Sequence, residues 1–573
     1  MNWLKLSFRV DKNSLGSAED FDGSSPPLLL IIGRWCLTPF IFIVGSWANI
    51  ATAEEYDTPS FADSSIVASD GTSSPRTTID AQLHGYFRQY IGWNLEDHPE
   101  PDGKGGQIDG AGDISIMRSV VKLDGDINFG KVKLKAVGRF SSEHKTPYLR
   151  RLENAAIAQG GRAFVNDQYN EAEIREFYAA FPLTERIKVQ LGKQQMPWGE
   201  ADFFHATDVV QGYDTRWRST LERENEETRN PTWLANIEIA FPEVDGNLQL
   251  IYGPGWGSGR KVVNNIDLAG GRFAGTGYHG VDSTLFTPYN YHQSSGDTSD
   301  DTWGFRWTGN APGRAISYSL LYYHGLNYDP IVNSVATDFP SFKSAKAYGQ
   351  VPANNFGEII YPRMDTYGAT FNADLPDIDT VLRGELAYQP KHQYNIGSSF
   401  CALVGPPPAC AVVPGIGGIL EKSTVRMMLG FDNTAKWTQS VFGTARPGLW
   451  TLEVFDRWIT GFKDSDDIVE LFGYSAKARE HQTFLTSTLT LNYLNDRLKP
   501  SLALLWDTHY GDTIWVGGLD YAIGDKWRIY SEISLNFPRG PTKKSANDIT
   551  DRTHLLSTGA DNSQLLIRAT YQF

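Results

Sequence analysis

The sequence predicts an all-β fold: a transmembrane, up-and-down antiparallel β-barrel of about eighteen strands. Three observations carry that expectation. From residue 81 onward, segments of about 10 to 15 residues alternate apolar and polar side chains. The connections between these segments alternate between short and long. Beyond residue 53, no stretch is apolar over the roughly 20 residues that a membrane helix requires.

The alternation is clearest in 563–573. Leu565, Ile567, Ala569, Tyr571 and Phe573 share one face, and Gln564, Arg568, Thr570 and Gln572 share the other. Period two assigns these faces to lipid and lumen. The aromatic pair Tyr571 and Phe573 is similar to the assembly signal read by the barrel assembly machinery. The same pattern fills 526–537, 482–494 and 131–143, where Lys131, Lys133, Lys135 and Arg139 take the lumen face. A one-residue slip moves such cations into hydrocarbon, at about 2–4 kcal/mol each near the midplane. The register is strongly specified.

Eighteen segments follow, near 81–95, 113–128, 131–143, 172–182, 186–197, 232–241, 246–254, 300–310, 314–326, 362–374, 380–391, 420–435, 449–460, 482–494, 498–509, 513–522, 526–537 and 563–573. Sixteen is the alternative count. Short connections such as 183–185 and 524–525 read as periplasmic turns, and long ones such as 144–171, 198–231 and 255–299 as outer loops. Two break the pattern. The connection 436–448 is long for a periplasmic turn, and the one near Tyr510 is short for an outer loop.

Residues 28–53 run from an apolar stretch through Arg34 to the small-residue exit Ala51-Thr52-Ala53. This order predicts a signal peptide over 1–53, with an uncleaved anchor as the alternative. The Ser-, Thr- and Asp-rich 54–80 reads as a disordered periplasmic lead or a small lumenal plug, leaving 81–573 for the barrel. Acidic and basic residues balance within 1–53, so the exported part keeps the full net charge of −15. Such a chain is a poor nucleic-acid binder. The partners implied are the outer-membrane bilayer, the assembly machinery and a small solute. Cys401 and Cys410 predict a loop disulfide in an oxidising compartment. No metal or cofactor motif accompanies them.

Two constellations are candidates for function. The first is a basic wall on the lumen face of the first five strands: Arg88, Arg118, Lys122, Lys133, Lys135, Arg139 and Lys188, with Lys131 and Arg186 near turns. Chiefly Asp124 and Asp126 oppose it. An unbalanced wall concentrates anionic solutes; the alternative is that these cations pair with acidic loop residues. The second is the run Gly192-Lys193-Gln194 through Trp198-Gly199-Glu200 and Asp202. It feeds the charged connection 198–231 with Asp208, Asp214, Arg216 and Arg218. Pro197 is expected to end the strand, Trp198 to join the interfacial girdle and Gly199 to turn the chain. The connection then folds inward and constricts the lumen, or lies over it as a lid.

Gly192-Lys193-Gln194, Trp198-Gly199-Glu200, an acidic loop with Asp-x-Arg and the opening Pro231-Thr232-Trp233 resemble an uncharacterised proteobacterial outer-membrane porin-like family, a domain of unknown function. More distantly, the Gly-basic-Gln strand is similar to alginate-export and phosphate-selective porins. The resemblance implies a barrel with passive or substrate-selective transport and supplies no solute or catalytic residue. Enzymatic chemistry is not expected. His205 is the only histidine in a suggestive setting, and no Gly-x-Ser-x-Gly or His-Glu-x-x-His run is present. The expected function is passage of a small solute; a plugged barrel acting as receptor, export partner or sheath is the alternative.

Overall fold

The computed structural model describes residues 79–99, 107–158, 165–214, 225–254, 301–313, 315–328, 362–398, 417–469, 477–539 and 562–573, with short stretches at 331–332, 359–360, 401–403, 410–412, 415 and 555–556. The expected signal peptide, nearly all of the lead, and Arg216 and Arg218 lie outside the described residues.

Among the described residues, eighteen long strands form one ring: β1 Ile79–Asn94, β2 Ile114–Phe129, β3 Val132–Glu143, β4 Glu171–Pro182, β5 Ile187–Gln194, β6 Thr232–Phe241, β7 Gly246–Gly253, β8 Thr302–Asn310, β9 Ile316–Leu326, β10 Arg363–Leu375, β11 Thr380–Ile396, β12 Gly418–Ala435, β13 Gly448–Ile459, β14 His481–Thr490, β15 Leu498–Asp507, β16 Thr513–Ile523, β17 Trp527–Phe537 and β18 Gln564–Gln572. Each pairs antiparallel with its neighbours in the chain. A two-residue strand, Ile468–Val469, adds to β11 at its outer end. β18 pairs with β1 from Tyr86↔Gln572 to Asn94↔Gln564, so no long edge is left bare. Phe573 continues the seam, exchanging both backbone hydrogen bonds with Gly85 at 3.0 Å.

Side chains sort by parity as the alternation requires. Leu123, Leu191, Leu250, Leu320, Leu386, Leu502 and Ile533 stand exposed on the outer face, while Arg118, Asn236, Thr370, Glu453 and Arg568 are buried on the inner one. A water-soluble protein does not expose a continuous apolar belt of this kind. Trp233, Tyr252, Trp303, Tyr388, Trp506 and Trp515 ring the outer end, and Phe129, Tyr318, Trp450, Tyr521 and Trp527 ring the inner end. These are the two aromatic girdles of a membrane barrel.

The two irregular connections have local causes. At 508–512, Asp507 Oδ1 accepts the N–H groups of His509 and Tyr510 at 3.0 and 3.1 Å, and Gly511 takes φ +84°, which folds an outer connection into a tight turn. The connection 436–447 holds the short helix Trp437–Phe442, ended by Gly443 at φ +65°. Strands 401–403 and 410–412 pair with Cys401 opposite Val412 and Cys410 opposite Leu403. The cysteine side chains, and with them the expected disulfide, lie outside the described residues.

The seam generates one prediction. A Cβ on Gly85 would meet the Lys122 carbonyl and approach the Phe573 ring to 2.9 Å. Gly85→Val is expected to lower stability by about 1–3 kcal/mol through overpacking. On unheated gels it should yield less of the compact barrel band than the parent protein, and an equal yield would refute the seam's tightness.

Candidate functional site

Residues 195–214, which leave β5, and 225–230, which lead back to β6, form a strap inside the barrel. Its outgoing arm is anchored in sequence order. The Trp198 ring is fully buried, donating Nε1–H to Gln249 Oε1 of β7 at 2.8 Å and meeting Tyr323 of β9 edge-on. Arg306 of β8 lies 3.5 Å from the Pro197 carbonyl and 3.7 Å from Glu200. Arg383 of β11 binds the Glu200 carbonyl and, at 3.0 Å, Asp202, while also pairing with Asp432 at 2.6 Å and Glu453 at 3.3 Å. Phe204 stacks on Phe484 of β14 at 4.4 Å and lies 5.7 Å from Phe455 of β13.

β14 stands diametrically opposite β5 in an eighteen-strand ring. Strand spacing and tilt set that diameter at about 35 Å between backbones. Phe204 reaches β14 ten residues after Gln194, so the chain between has little slack beyond its successive wall anchors. No helix or strand forms between 195 and 212; the chain bends at 202–204 and 206–207 and brings Asp208 back beside Trp198.

One carboxylate fastens the arm. Glu385 of β11 is 4% exposed and receives four backbone N–H groups: Glu200 and Ala201 (2.7 Å) on Oε1, Ala206 (3.0 Å) and Thr207 (2.8 Å) on Oε2. The tip packs Ala201, Phe204 and Ala206 against inward-facing Ala387, Met428, Phe455, Phe484, Leu505, Ile514 and Val516, with Leu555 and Leu556 of the last outer connection.

A second carboxylate holds the strap to itself. Asp208 accepts from Trp198 N–H (3.3 Å), from the Tyr213 hydroxyl and from Arg229 Nη2 (2.8 Å). Burial opposes its charge, but Arg229, His205 and the Tyr213 hydroxyl hold its carboxyl below the usual range. His205 stacks on Tyr213 at 4.5 Å with the rings 2° from parallel. Burial pushes the His205 imidazole down to about 4, against the attraction of Asp208. Asp214, also buried, donates its N–H to the Thr228 carbonyl at 2.6 Å, and Asn230 N–H reaches Gly212 at 2.8 Å.

A third carboxylate, Glu227, docks the return leg on the basic wall. It accepts from the Tyr86 hydroxyl (2.8 Å) and Lys122 (3.1 Å), and Arg139 lies 3.5 Å away while bonding the Glu227 carbonyl at 2.7 Å. Despite its burial, Lys122, Arg88, Arg139 and Arg175 hold the Glu227 carboxyl far below its ordinary range.

The basic residues named from the sequence sit on the inner face, yet the wall they form is not unbalanced. Arg118 pairs with Glu143 at 3.0 Å, Arg139 with Glu173 at 2.6 Å and Lys133 with Asp126 at 3.0 Å. Lys135 bridges Asp124 and Asp126. Arg88 lies over the Tyr86 ring at 4.1 Å and bonds Thr570 at 3.2 Å. Lys188, exposed near the inner end, faces Glu238 across β5 and β6. Of the turn residues, Arg186 pairs with Glu243 at 2.7 Å. An anion-concentrating field from this wall is therefore offset by neighbouring carboxylates.

A family described as "Protein of unknown function (DUF1302)" matches residues 42–573. The chain belongs to that family. No curated protein matches it. Among solved structures, the outer membrane channel DcaP of Acinetobacter baumannii is similar at 11% identity over 88% of this chain and 99% of its own, with a TM-score of 0.36. OccAB1 of the same organism gives 10%, 86%, 96% and 0.39. An anion-selective porin from Comamonas acidovorans gives 12%, 87%, 100% and 0.35. The functional reading rests on the chain's own geometry.

In this DUF1302 chain the residues that carry the family resemblance build the strap's hinge. Gly192, at φ +137°, sits where any Cβ would strike the Phe177 carbonyl and come within 2.7 Å of Tyr178 Cα. Lys193 caps the Ile174 carbonyl at 2.7 Å, and Gln194 bonds the Leu234 carbonyl at 3.0 Å. Three expectations are corrected. β5 ends at Gln194 rather than Pro197, because the chain leaves the wall there. Trp198 is in the lumen and not in the girdle, since Gln249 offers its indole N–H a buried acceptor. Gly199 serves close packing rather than a turn: a Cβ would lie 2.9 Å from Asp208 Cβ and 3.0 Å from Glu385 Oε1. The sequence reading missed Glu385, Arg383, Glu453, Glu227 and Phe204. An inventory of inward-facing acids on β11 and β13 would have found Glu385 and Glu453.

Two predictions follow from the anchors. Glu385→Gln turns an amide NH2 toward backbone donors, and each unsatisfied buried N–H costs about 1–3 kcal/mol. Limited proteolysis of the intact barrel should then cut the strap faster than in the parent; an unchanged rate would exclude the anchor. The second concerns pH. The imidazole's ordinary value of 6.5 falls to about 4 in the packed strap, so a displaced strap takes up a proton that the packed one refuses. Packing is at full strength above 6.5 and weakens as pH falls toward 4. Strap cleavage should accelerate from about pH 7 to about pH 4.5, and His205→Phe should flatten that dependence.

Proposed function

We propose that this protein is an outer-membrane channel through which a small solute passes without energy input, narrowed by the strap at 195–214 and 225–230. The supporting observation is the arm from Trp198 to Phe204, held on the far half of the wall by Glu385, Arg383 and Glu453. Barrels of about 16–18 strands leave an aqueous channel unless segments fill it, and this segment fills part of it at a defined place. The paired state of the β1–β5 cations gives no reason to retain an anion preference. Any charge discrimination belongs to groups with open faces on strap and wall, such as Asp202 and Lys133, whose side chains are each 50% exposed.

A plugged barrel serving as receptor, export partner or sheath is the second reading. It is favoured by one feature: the apolar contact of the strap tip with Leu555 and Leu556 of an outer connection.

Single-channel recording of the purified protein in a planar bilayer separates the two. The channel reading expects discrete conductance from the intact protein and a severalfold larger one after removal of residues 200–230, since conductance grows with the open cross-section. Conductance only after the removal would favour the plugged barrel. Silence in both would rule out the channel.

A further inference from the structure

The short helix Trp437–Phe442, here α1, occupies the one inner-end connection that the sequence pattern left unexplained. Its polar side is used up within the fold. Thr438 is fully buried, donating its hydroxyl to the Ala435 carbonyl at 2.7 Å and accepting Gly448 N–H at 2.8 Å. Tyr493 donates to the Phe442 carbonyl at 2.8 Å. Tyr493 continues the outward parity of Leu485 and Leu489, so α1 is tied to the outside of the barrel's inner rim and not to its lumen.

The remaining face is apolar and uncovered. Trp437 is 43% exposed, Val441 64% and Phe442 45%, with the two rings 5.9 Å apart. Trp450, on the outward face of β13, and Leu494 of the β14–β15 turn, both exposed, flank it. The patch is thus continuous with the lipid-facing belt. Lys436 and Arg446 stand beside it, each reaching a surface aspartate, Asp379 and Asp496.

We propose that α1 is an interfacial anchor, seating Trp437, Val441 and Phe442 at the boundary between headgroups and acyl chains of the inner leaflet. This rests on the reading of the barrel as membrane-embedded. The chemistry fits that depth: Trp favours the headgroup boundary, Phe and Val suit the acyl region beneath it, and Lys436 and Arg446 keep their charges on the aqueous side, where Asp379 and Asp496 meet them. A partner protein in the periplasm would be met by a patch facing away from the membrane, whereas this one extends the surface that lipid already covers.

The test is fluorescence quenching of the full-length protein in phosphatidylcholine vesicles brominated either near the headgroup or deep in the acyl chain. The Trp437 signal is the difference between the parent and Trp437→Phe, and the Trp515 signal, from the outer girdle, is obtained likewise. The anchor expects Trp437 to be quenched about twofold more by shallow than by deep bromine. Quenching of Trp515 with none of Trp437 by either lipid overturns the proposal alone. If Trp437 is instead shielded from both bromine and aqueous iodide, a second copy or another protein covers α1, and the anchor is again overturned. Loss of quenching at both positions would remove the membrane reading itself.

Discussion

A carboxyl group buried inside a barrel is tolerable only when its oxygens are met by donors, and a stretch of backbone lying in a lumen is tolerable only when its N–H groups find acceptors. Glu385 settles both demands at once. Its two oxygens collect four N–H groups from two short runs of the strap, 200–201 and 206–207. Without such an acceptor an extended arm has no ladder to join and no reason to remain in place. The seating of Phe204, which lies between those two runs, goes with this fastening, while Gln249 holds Trp198 and Glu227 the return leg.

The strap is also a charge counterpart to the wall. It carries eight acidic and four basic residues between 198 and 231, and its helical turn at 225–228 delivers Glu226 and Glu227 to Lys122, Arg139 and Arg175. What read in the sequence as a basic lining for solute is, in three dimensions, a docking surface for the protein's own segment. Buried ion pairs of this kind contribute little net stability but penalise misplacement heavily, so they fix where the leg lies more than how tightly the barrel holds.

The eighteen strands were legible because each residue is either in lipid or in water, and period two writes that choice directly into the text. Their ends were less so. Pro197 marks a place where pairing cannot continue, but the chain leaves earlier because Gln194 finds the Leu234 carbonyl. Trp198 illustrates a different limit. A tryptophan at the outer end of a strand suits either a girdle or a lumen, and only the location of Gln249 decides. Glu385 could be found by face as an inward acid but its role could not: its donors lie about 180 residues away in the chain, and its immediate neighbours, Gly384 and Leu386, do not point to them. The cations of β2 and β3 were identified by type and face, and Asp124 and Asp126 as two of their opposing acids, but the strap's Glu227, which meets Lys122 and Arg139, could not be paired with them by pattern alone.

The pairing of residues 564–572 with 86–94 makes the first and last strands mutual neighbours. Every other pairing between the eighteen long strands joins neighbours in the chain, but this one joins the first to the last. Until it forms, any partly assembled sheet presents two open flanks able to recruit foreign strands. Late ring closure is therefore the slow, entropically demanding event in this architecture, and a chaperone that masked the flanks would act on the period before the two ends meet.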